Sequence, residues 1–518
     1  MDAPAGGTRA GGAPSHGFGG RKGPDLTTGP IGKTLILFAL PVMGSNILQS
    51  INGSANAIWV SHVLGETALT AISNSNQIFF LMLGAVFGMS MAANIMIGQA
   101  VGAGDRALAT RVVGTATLFF IAISVVVGFA GFILTPHILT GMGTPPGARE
   151  LAISYLRVIF AGIPLLYFFT FMMMGQRGAG DSRTPFYFSL MSVCLDVTLN
   201  PLLITGFGPL PRLGIVGSAT ATLLAQGTTL AVMLVYLFRK KSILVLTREE
   251  WRSFRPDFDV ARGLLFKGLP MAFQMIIISL AAVTMMSLVN SYGLTTAAAY
   301  GAAVQVWTYV QMPAMALGAA VSSMAAQNVG AGRMDRVGKI ARTGVLYAAV
   351  FSAVPIVIIY LLDPWILRAF LPAGSPSLPI AIHINSIVLW GFIPFGMAFI
   401  FSGIVRSTGA VWPPLLAMVI ALWGVRVPLA NLLTPQLGAD AIWISFPIGS
   451  LVTVLLAGAY YRWGGWRTAR MLPSAIPHGD TADTGMSPPG GMEETEVAAE
   501  AQEELTHGSP SAPHRPAS

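Results

Sequence analysis

One carboxylate sits where chemistry needs an explanation. The stretch Phe186 to Gly206 reads Phe-Tyr-Phe-Ser-Leu-Met-Ser-Val-Cys-Leu-Asp-Val-Thr-Leu-Asn-Pro-Leu-Leu-Ile-Thr-Gly. It is long enough to cross a bilayer as a helix. Asp196 lies at its middle, with Asn200 one turn further on and Pro201 next to it. Inserting a carboxylate at that depth costs roughly 2.5–3.5 kcal/mol. Low-dielectric surroundings disfavour the charged form, so such a group can load and release a proton. Asn56 and Asn200 are its candidate hydrogen-bond partners, with interhelical glue as their plainer role. Other chemistry finds no support. His62, His137 and His383 stand apart without metal-ligand spacing, and a surface or interfacial role is expected of each. No Ser/His/Asp set, Walker lysine or cofactor loop is present, so no enzyme activity, cofactor or metal is expected.

The elements that must position Asp196 are membrane spans. Of 518 residues, 53% are hydrophobic and only 10% charged, with mean hydropathy +0.67. A soluble domain is nearer 25% charged. Long apolar blocks predict twelve spans, near 34–58, 70–97, 111–135, 151–175, 186–206, 215–238, 263–290, 297–326, 340–362, 379–404, 411–434 and 440–461. The expected organisation is a flexible arm at 1–33, a first lobe at 34–238, a hydrophilic linker at 239–262, a second lobe at 263–470 and a disordered tail at 471–518. Cys194 is the only cysteine, which excludes an intramolecular disulfide. The net charge of +8 belongs to topology, not to nucleic-acid binding. Of the 30 Lys and Arg residues, all but Arg149, Arg157, Arg212, Arg368 and Arg426 fall in the termini and in loops after even-numbered spans. That bias predicts cytoplasmic termini and linker. Sorted the same way, Glu66, Glu150, Asp363 and Asp440 fall in or beside external loops and the other acids are cytoplasmic, leaving Asp196 as the one deep acid.

The chain repeats. Gln99-Ala-Val-Gly-Ala-Gly104 returns as Gln327-Asn-Val-Gly-Ala-Gly332, an offset of 228. Leu40-Pro41 returns as Leu269-Pro270, and Arg177-Gly-Ala-Gly180 with Pro185 as Arg406-Ser-Thr-Gly409 with Pro414, both at 229. Each half holds six spans, so both enter the membrane in one orientation. They should be related by an axis along the membrane normal, with a cavity between them. The Gly-Ala-Gly loops suit tight turns. Pro41, Pro270 and Pro201 mark candidate kinks.

These residues resemble the MATE (multidrug and toxic compound extrusion) family, in its DinF-like branch, over about residues 30–465. The likeness rests on Leu-Pro opening spans 1 and 7, the paired Gln-x-Val-Gly-Ala-Gly loops, Arg-Gly-Ala-Gly-Asp-Ser-Arg-Thr-Pro at 177–185, Asn200-Pro201-Leu202, and Leu213-Gly-Ile-Val-Gly-Ser-Ala-Thr-Ala-Thr222. It implies a secondary-active antiporter in the plasma membrane, with twelve helices in two lobes, expelling amphipathic or cationic compounds against inward H⁺ or Na⁺. It also marks departures. Asn56 stands where the family often has an Asp. Asp196 and Asn200 exchange the family's amide and acid. Span 7 holds no acid from Phe273 to Thr284.

Candidate cavity residues are Gln49, Asn52, Asn76, Gln77, Gln305, Trp307 and Gln311, with Tyr167, Phe168 and Met172 to Met174, since Met and aromatic groups repack around promiscuous ligands. Core packing is an equal reading for each. Arg426, deep in span 11 without an acid in its own span, has three placements open to it: facing the cavity, snorkelling outward or pairing with Asp196. In the cavity it would suit anionic or zwitterionic substrates. The expected partners are the bilayer and small amphipathic molecules, with the chain a monomer. The rivals are a lipid-linked oligosaccharide flippase, expected to carry several cavity cations, and a receptor or intramembrane enzyme, for which two parallel halves have no evident use. Topology is checked by cysteine labelling in a Cys194→Ala background: a cysteine at position 250 should react with an impermeant reagent only after the membrane is opened, and labelling in intact cells refutes a cytoplasmic linker.

Overall fold

Lipid offers no partner to a backbone N–H or C=O, so a chain this apolar must satisfy them inside helices. The computed structural model describes residues 25–206, 212–247, 250, 254–372 and 374–471. The arm before Asp25, linker residues Glu249 and Arg252, and the tail beyond Met471 lie outside them. Twelve long helices run in order: α1 Ile31–Leu64, α2 Glu66–Gly102, α3 Arg106–Gly141, α4 Pro146–Gly178, α5 Arg183–Thr205, α6 Ile215–Arg239, α7 Phe258–Asn290, α8 Leu294–Gly330, α9 Met334–Leu367, α10 Ser377–Ser407, α11 Trp412–Leu437 and α12 Asp440–Trp463. All but α8 are long and apolar enough to span a bilayer by composition alone. The exception is explained by its place. Its second half is sheathed by other helices and built of Ala, Ser, Gln and Asn, including Ser322, Ser323, Gln327 and Asn328. Its exposed large apolar residues are few, Leu294, Tyr309 and Met315, against many on outer helices such as α3 and α9.

Each predicted span coincides with a helix, and most helices run past the bilayer. Three boundaries change. Asp363 lies inside α9 and only 4% exposed, not in a loop: Asp-Pro reads as a helix stop, yet the helix continues to Leu367. Asp196 is therefore not the one buried acid. The arm is not loose to its end, since Leu26 is buried and Asn328, Arg333 and Arg336 donate to the carbonyls of Leu26, Thr27, Thr28 and Gly29. The linker packs against the first lobe through Leu244, Leu246 and Phe254, and α7 begins at Phe258, capped by Asp257. Arg106–Glu250 (3.3 Å) and Arg111–Asp257 (3.5 Å) hold it from outside.

The packing has two-fold character. Within the first half α2 packs on α4, α3 on α4, α4 on α6 and α5 on α6. The second half repeats the pattern as α8 on α10, α9 on α10, α10 on α12 and α11 on α12. Between halves, α2 packs on α7 as α1 packs on α8, and α2 meets α8 itself. The repeated motifs close one end of this contact. Gln99 Nε2 donates to Ser407 O at 2.6 Å, and Gln327 Nε2 donates to Gly178 O at 2.9 Å, the same bond made once from each half. A methyl on Gly102 would overlap the carbonyl of Gln327, and one on Gly330 the carbonyl of Gln99. Gly104 and Gly332, both at φ +70°, turn the chain sharply just beyond. Asn94 and Ser323 hydrogen-bond across α2–α8. At this end Val260, Leu264, Met271 and Ala326 join the first lobe's core, and Leu35, Phe38 and Val42 join the second's. Towards the opposite end, the second lobe's core of Met285, Tyr300, Val306 and Trp443 includes no first-lobe residue. The lobes are zipped at one end and have separate cores at the other.

The zipped end depends on hydrogen at positions 102 and 330. In a Cys194→Ala background, Asn94→Cys with Ser323→Cys should cross-link readily on oxidation. Adding Gly102→Val should cost about 1–3 kcal/mol through overpacking and sharply reduce the cross-link. Undiminished cross-linking would show that the end closes without this close approach.

Candidate functional site

Spacing of four puts Asn52 and Asn56 on one face of α1, and Asp196 and Asn200 on one face of α5. The two faces meet, because α1 packs along α5 and α6 lies beside α5. Asn52 Nδ2 donates to Asp196 Oδ2 at 2.7 Å, and Asn56 Nδ2 to the same oxygen at 3.3 Å. Thr222 Oγ1, from α6, lies 3.2 and 3.3 Å from the two carboxylate oxygens. Asn200 Nδ2 reaches Oδ1 at 3.5 Å and also donates to Asn56 Oδ1. Asp196 is 2% and Asn200 0% exposed. Tyr155, buried in α4, stands within electrostatic reach. No cation pairs with Asp196 among the described residues. Amide and hydroxyl donors alone surround it.

Two acceptors are left over. Asn52 Oδ1 and Asn200 Oδ1 are buried without a hydrogen-bond partner. An orphaned buried acceptor is destabilising by about 1–3 kcal/mol. Both belong to amides whose Nδ2 faces Asp196, and the carboxylate itself suits a proton or a small hard cation. No cluster of three His, Cys, Asp or Glu exists among the described residues.

The frame holding this site is anchored outside the bilayer. Asp181 accepts from the backbone N–H of Arg183 and Thr184 and from Thr184 Oγ1, and Lys240 Nζ reaches it at 3.2 Å. This ties the start of α5 to the end of α6. Burial works against the Asp181 charge, but the Thr184 bonds and Lys240 outweigh it and hold the carboxyl below its ordinary value. At its far end α5 carries Pro201, which leaves the Val197 carbonyl without its helical donor. Pro41 and Pro270 sit inside continuous helices α1 and α7.

The remaining candidates separate. Asn52 belongs to the Asp196 site and makes its shortest bond, so it is no plain wall residue. Thr222 and Tyr155 were missed. Thr222 was within a quoted motif, but only folding brings α6 to α5. Tyr167, Met172 and Met173 are sealed in the first lobe's core, where Tyr167 Oη donates to Met82 O, and Phe168 packs against that core. Trp307 is likewise buried, donating to Asn385 Oδ1 at 2.9 Å. These aromatic and Met groups fill lobe interiors because each lobe, without water, must pack itself. Gln49, Gln77 and Gln305 are exposed, and Asn76 and Gln311 half-buried. Asn385 Nδ2 donates to Asp363 at 2.8 Å, so the second lobe buries a carboxylate too. His383 is not isolated, since its Nε2 lies 2.9 Å from Asp440. Arg426 pairs with no acid among the described residues. Its guanidinium lies over the Phe446 ring, 4.9 Å from the centroid.

Comparison with known proteins agrees with this geometry. The MatE family model matches twice, over residues 41–202 and 270–432, each match opening on the Pro of a repeat. The chain is 36% identical over 432 residues to the probable multidrug resistance protein YoeA of Bacillus subtilis (strain 168), covering 83% of this chain and 93% of that one. It is 32% identical over 451 residues to the probable multidrug resistance protein YpnP of the same organism, covering 86% and 98%. A solved structure described as an outward-facing conformation of a multidrug resistance MATE family transporter superposes with TM-score 0.79 at 21% identity, covering 86% of this chain and 98% of that one. A twice-matched family model, an internal two-fold and a buried carboxylate in the first half lead to one conclusion: the chain belongs to the MATE family of polytopic membrane transporters.

Proposed function

We propose that the protein is a secondary-active antiporter of the plasma membrane, exporting amphipathic or cationic small molecules in exchange for H⁺ or Na⁺. The observation that carries this reading is the Asp196 site, a carboxylate at membrane depth with two orphaned amide oxygens beside it. The names of the relatives, as multidrug resistance proteins, support the substrate class. The Lys/Arg asymmetry supports cytoplasmic termini, which makes the zipped end cytoplasmic and the present form outward-facing.

Coupling follows from where α1 goes. Its second half supplies Asn52 and Asn56 to the carboxylate. Its first half supplies Leu35, Phe38 and Val42 to the core shared with α8 and α9. Pro41 lies within the first half, between Phe38 and Val42. One helix thus reports the occupancy of Asp196 to the lobe interface. A proton or cation biases this only by binding the two shapes with different affinity. Substrate then affects ion binding by the same factor as the ion affects substrate. Thr222 and Tyr155 are the other residues through which a change at Asp196 reaches α6 and α4.

The test is dye efflux from proteoliposomes under an imposed pH or Na⁺ gradient. Whichever gradient drives uphill efflux identifies the ion. Asp196→Asn should fold and insert normally and lose uphill efflux. Asn52→Ala should lose one charge-assisted bond, about 1.5–3 kcal/mol, lowering the melting temperature and weakening coupling. An Asp196→Asn protein that pumps like the parent at every pH assigns coupling elsewhere, with Asp363 the next carboxylate to replace.

A further inference from the structure

The two halves differ most at the place where they should agree. The start of α11 keeps the register of α5, Pro414 answering Pro185 at an offset of 229. A π-helical stretch at Ile420–Arg426 then widens α11, whereas α5 is α-helical throughout. A π turn takes up one extra residue and moves every later side chain round by one position. The residue that comes to stand for Asp196 is thereby Arg426, at an offset of 230. The next helix agrees. Gly214 before α6 (φ 56°, ψ −132°) and Gly438 before α12 (φ 58°, ψ −135°) share a backbone conformation that favours glycine, which fixes an offset of 224 there. By that register Thr222, which touches Asp196, answers to Phe446, over which Arg426 lies. The first lobe places a carboxylate among amides at this position, and the second places a guanidinium among rings.

That guanidinium is not satisfied. Its Nε is enclosed with no acceptor, and no ion pair or hydrogen bond holds the group among the described residues. The second lobe's buried carboxylate, Asp363, is engaged by Asn385, which is capped in turn by Trp307. Trp307 stacks on Phe446 at 6.2 Å, and Tyr300 stacks on Trp443 at 5.6 Å within electrostatic reach of Arg426. Arg426 itself is half-buried, so it is enclosed on the Phe446 side without being sealed. An Arg in this setting is kept where it meets an anion, and planar rings beside it suit a planar aromatic body.

We propose that Arg426 and the Phe446 ring beside it, backed by the core rings of Tyr300 and Trp307, form a subsite in the second lobe for the acidic group of an aromatic organic anion or zwitterion, a carboxylate or phosphate. This deepens the transport reading and rests on it for taking the site as a substrate seat. The protein would then accept amphipathic molecules that carry an acid, and not only cations.

The test is equilibrium binding without any gradient. The full-length protein, in phosphatidylcholine nanodiscs, is titrated by fluorescence anisotropy with a xanthene dye bearing a free carboxylate and with the ethyl ester of the same dye. The parent should bind the acid at least about tenfold more tightly than the ester, the scale of one charge-assisted bond. Arg426→Gln should lose affinity for the acid alone, and Arg426→Lys should keep part of the preference. Equal affinity of the parent for acid and ester overturns the proposal, and so does a preference that survives Arg426→Gln. The parent comparison stands even if a variant fails to fold. Repeating it with phosphatidylglycerol in the disc separates the two sources of an acidic group: unchanged binding of the acid supports a soluble ligand, whereas its displacement assigns the seat to a lipid phosphate and overturns the substrate reading. The acid-versus-ester comparison in the parent is made at equilibrium with no gradient, so failure of gradient-driven efflux and failure of the anion seat are read separately.

Discussion

A charge inside a bilayer has no water to turn to, so every partner must come from a neighbouring helix. For Asp196 the insertion cost of about 2.5–3.5 kcal/mol is comparable to one or two hydrogen bonds to a charged group at about 1.5–3 kcal/mol each. The structure supplies donors from three helices, Asn52 and Asn56 on α1, Asn200 on α5 and Thr222 on α6. The arrangement of the first lobe follows. Helix α5 must lie against α1 and α6, its two ends must be fixed, and the Asp181–Lys240 pair fixes one of them from the aqueous side. A carboxylate held this way is stable without a counter-cation, yet it keeps two unpartnered amide oxygens within its shell.

A transporter also needs two lobes that separate without exposing unsatisfied backbone. Here the contact is made by surfaces that carry little commitment. Gly102 and Gly330 let α2 and α8 touch through main chain, and the Gln99 and Gln327 bonds end on carbonyls at the last turns of α10 and α4. Helix-terminal carbonyls lack helical donors, so each bond satisfies a group that would otherwise turn to water. Opening this end exchanges protein donors for water at an aqueous surface, a change of small net free energy. The core around Met285, Tyr300 and Trp443 lies within the second lobe, whereas opening the zipped end would also part the apolar groups shared across it, among them Leu35, Phe38, Val260 and Leu264.

The same scaffold tolerates opposite electrostatics in its two halves. One π turn in α11 and an exchange of Thr for Phe on the following helix replace a hydrogen-bonded carboxylate with a ring-supported guanidinium. Asp363 sits deeper in the second lobe than its neighbouring proline would suggest, and Asn385 and Trp307 neutralise its need for donors. Symmetry here governs how helices pack and leaves the chemistry of each interior free to differ.

Sequence by itself determined the long apolar helices, the repeat and the place of Asp196 within a span, because hydropathy, offset and charge at depth are properties of residue order. Asn200 was legible by its spacing of four on the same helix, whereas Asn56 was marked by the resemblance to a family that often has an Asp at that place. Only the tertiary structure decided who else meets the carboxylate. Nothing in the order of residues shows that Asn52, and not Gln49 or Asn76, turns towards α5, or that α6 brings Thr222, since contacts between helices depend on how the helices rotate and cross. Tyr167, Met172, Met173 and Trp307 looked equally fit for a cavity or a core because their types suit both, and burial in the lobes settled it. The burial of Asp363 was not legible because it rests on Asn385 from a neighbouring helix. Arg426 drew notice as a charge in a span, but its role as the counterpart of Asp196 rests on a one-residue π insertion, which changes the direction of a side chain without leaving any mark on composition or hydropathy.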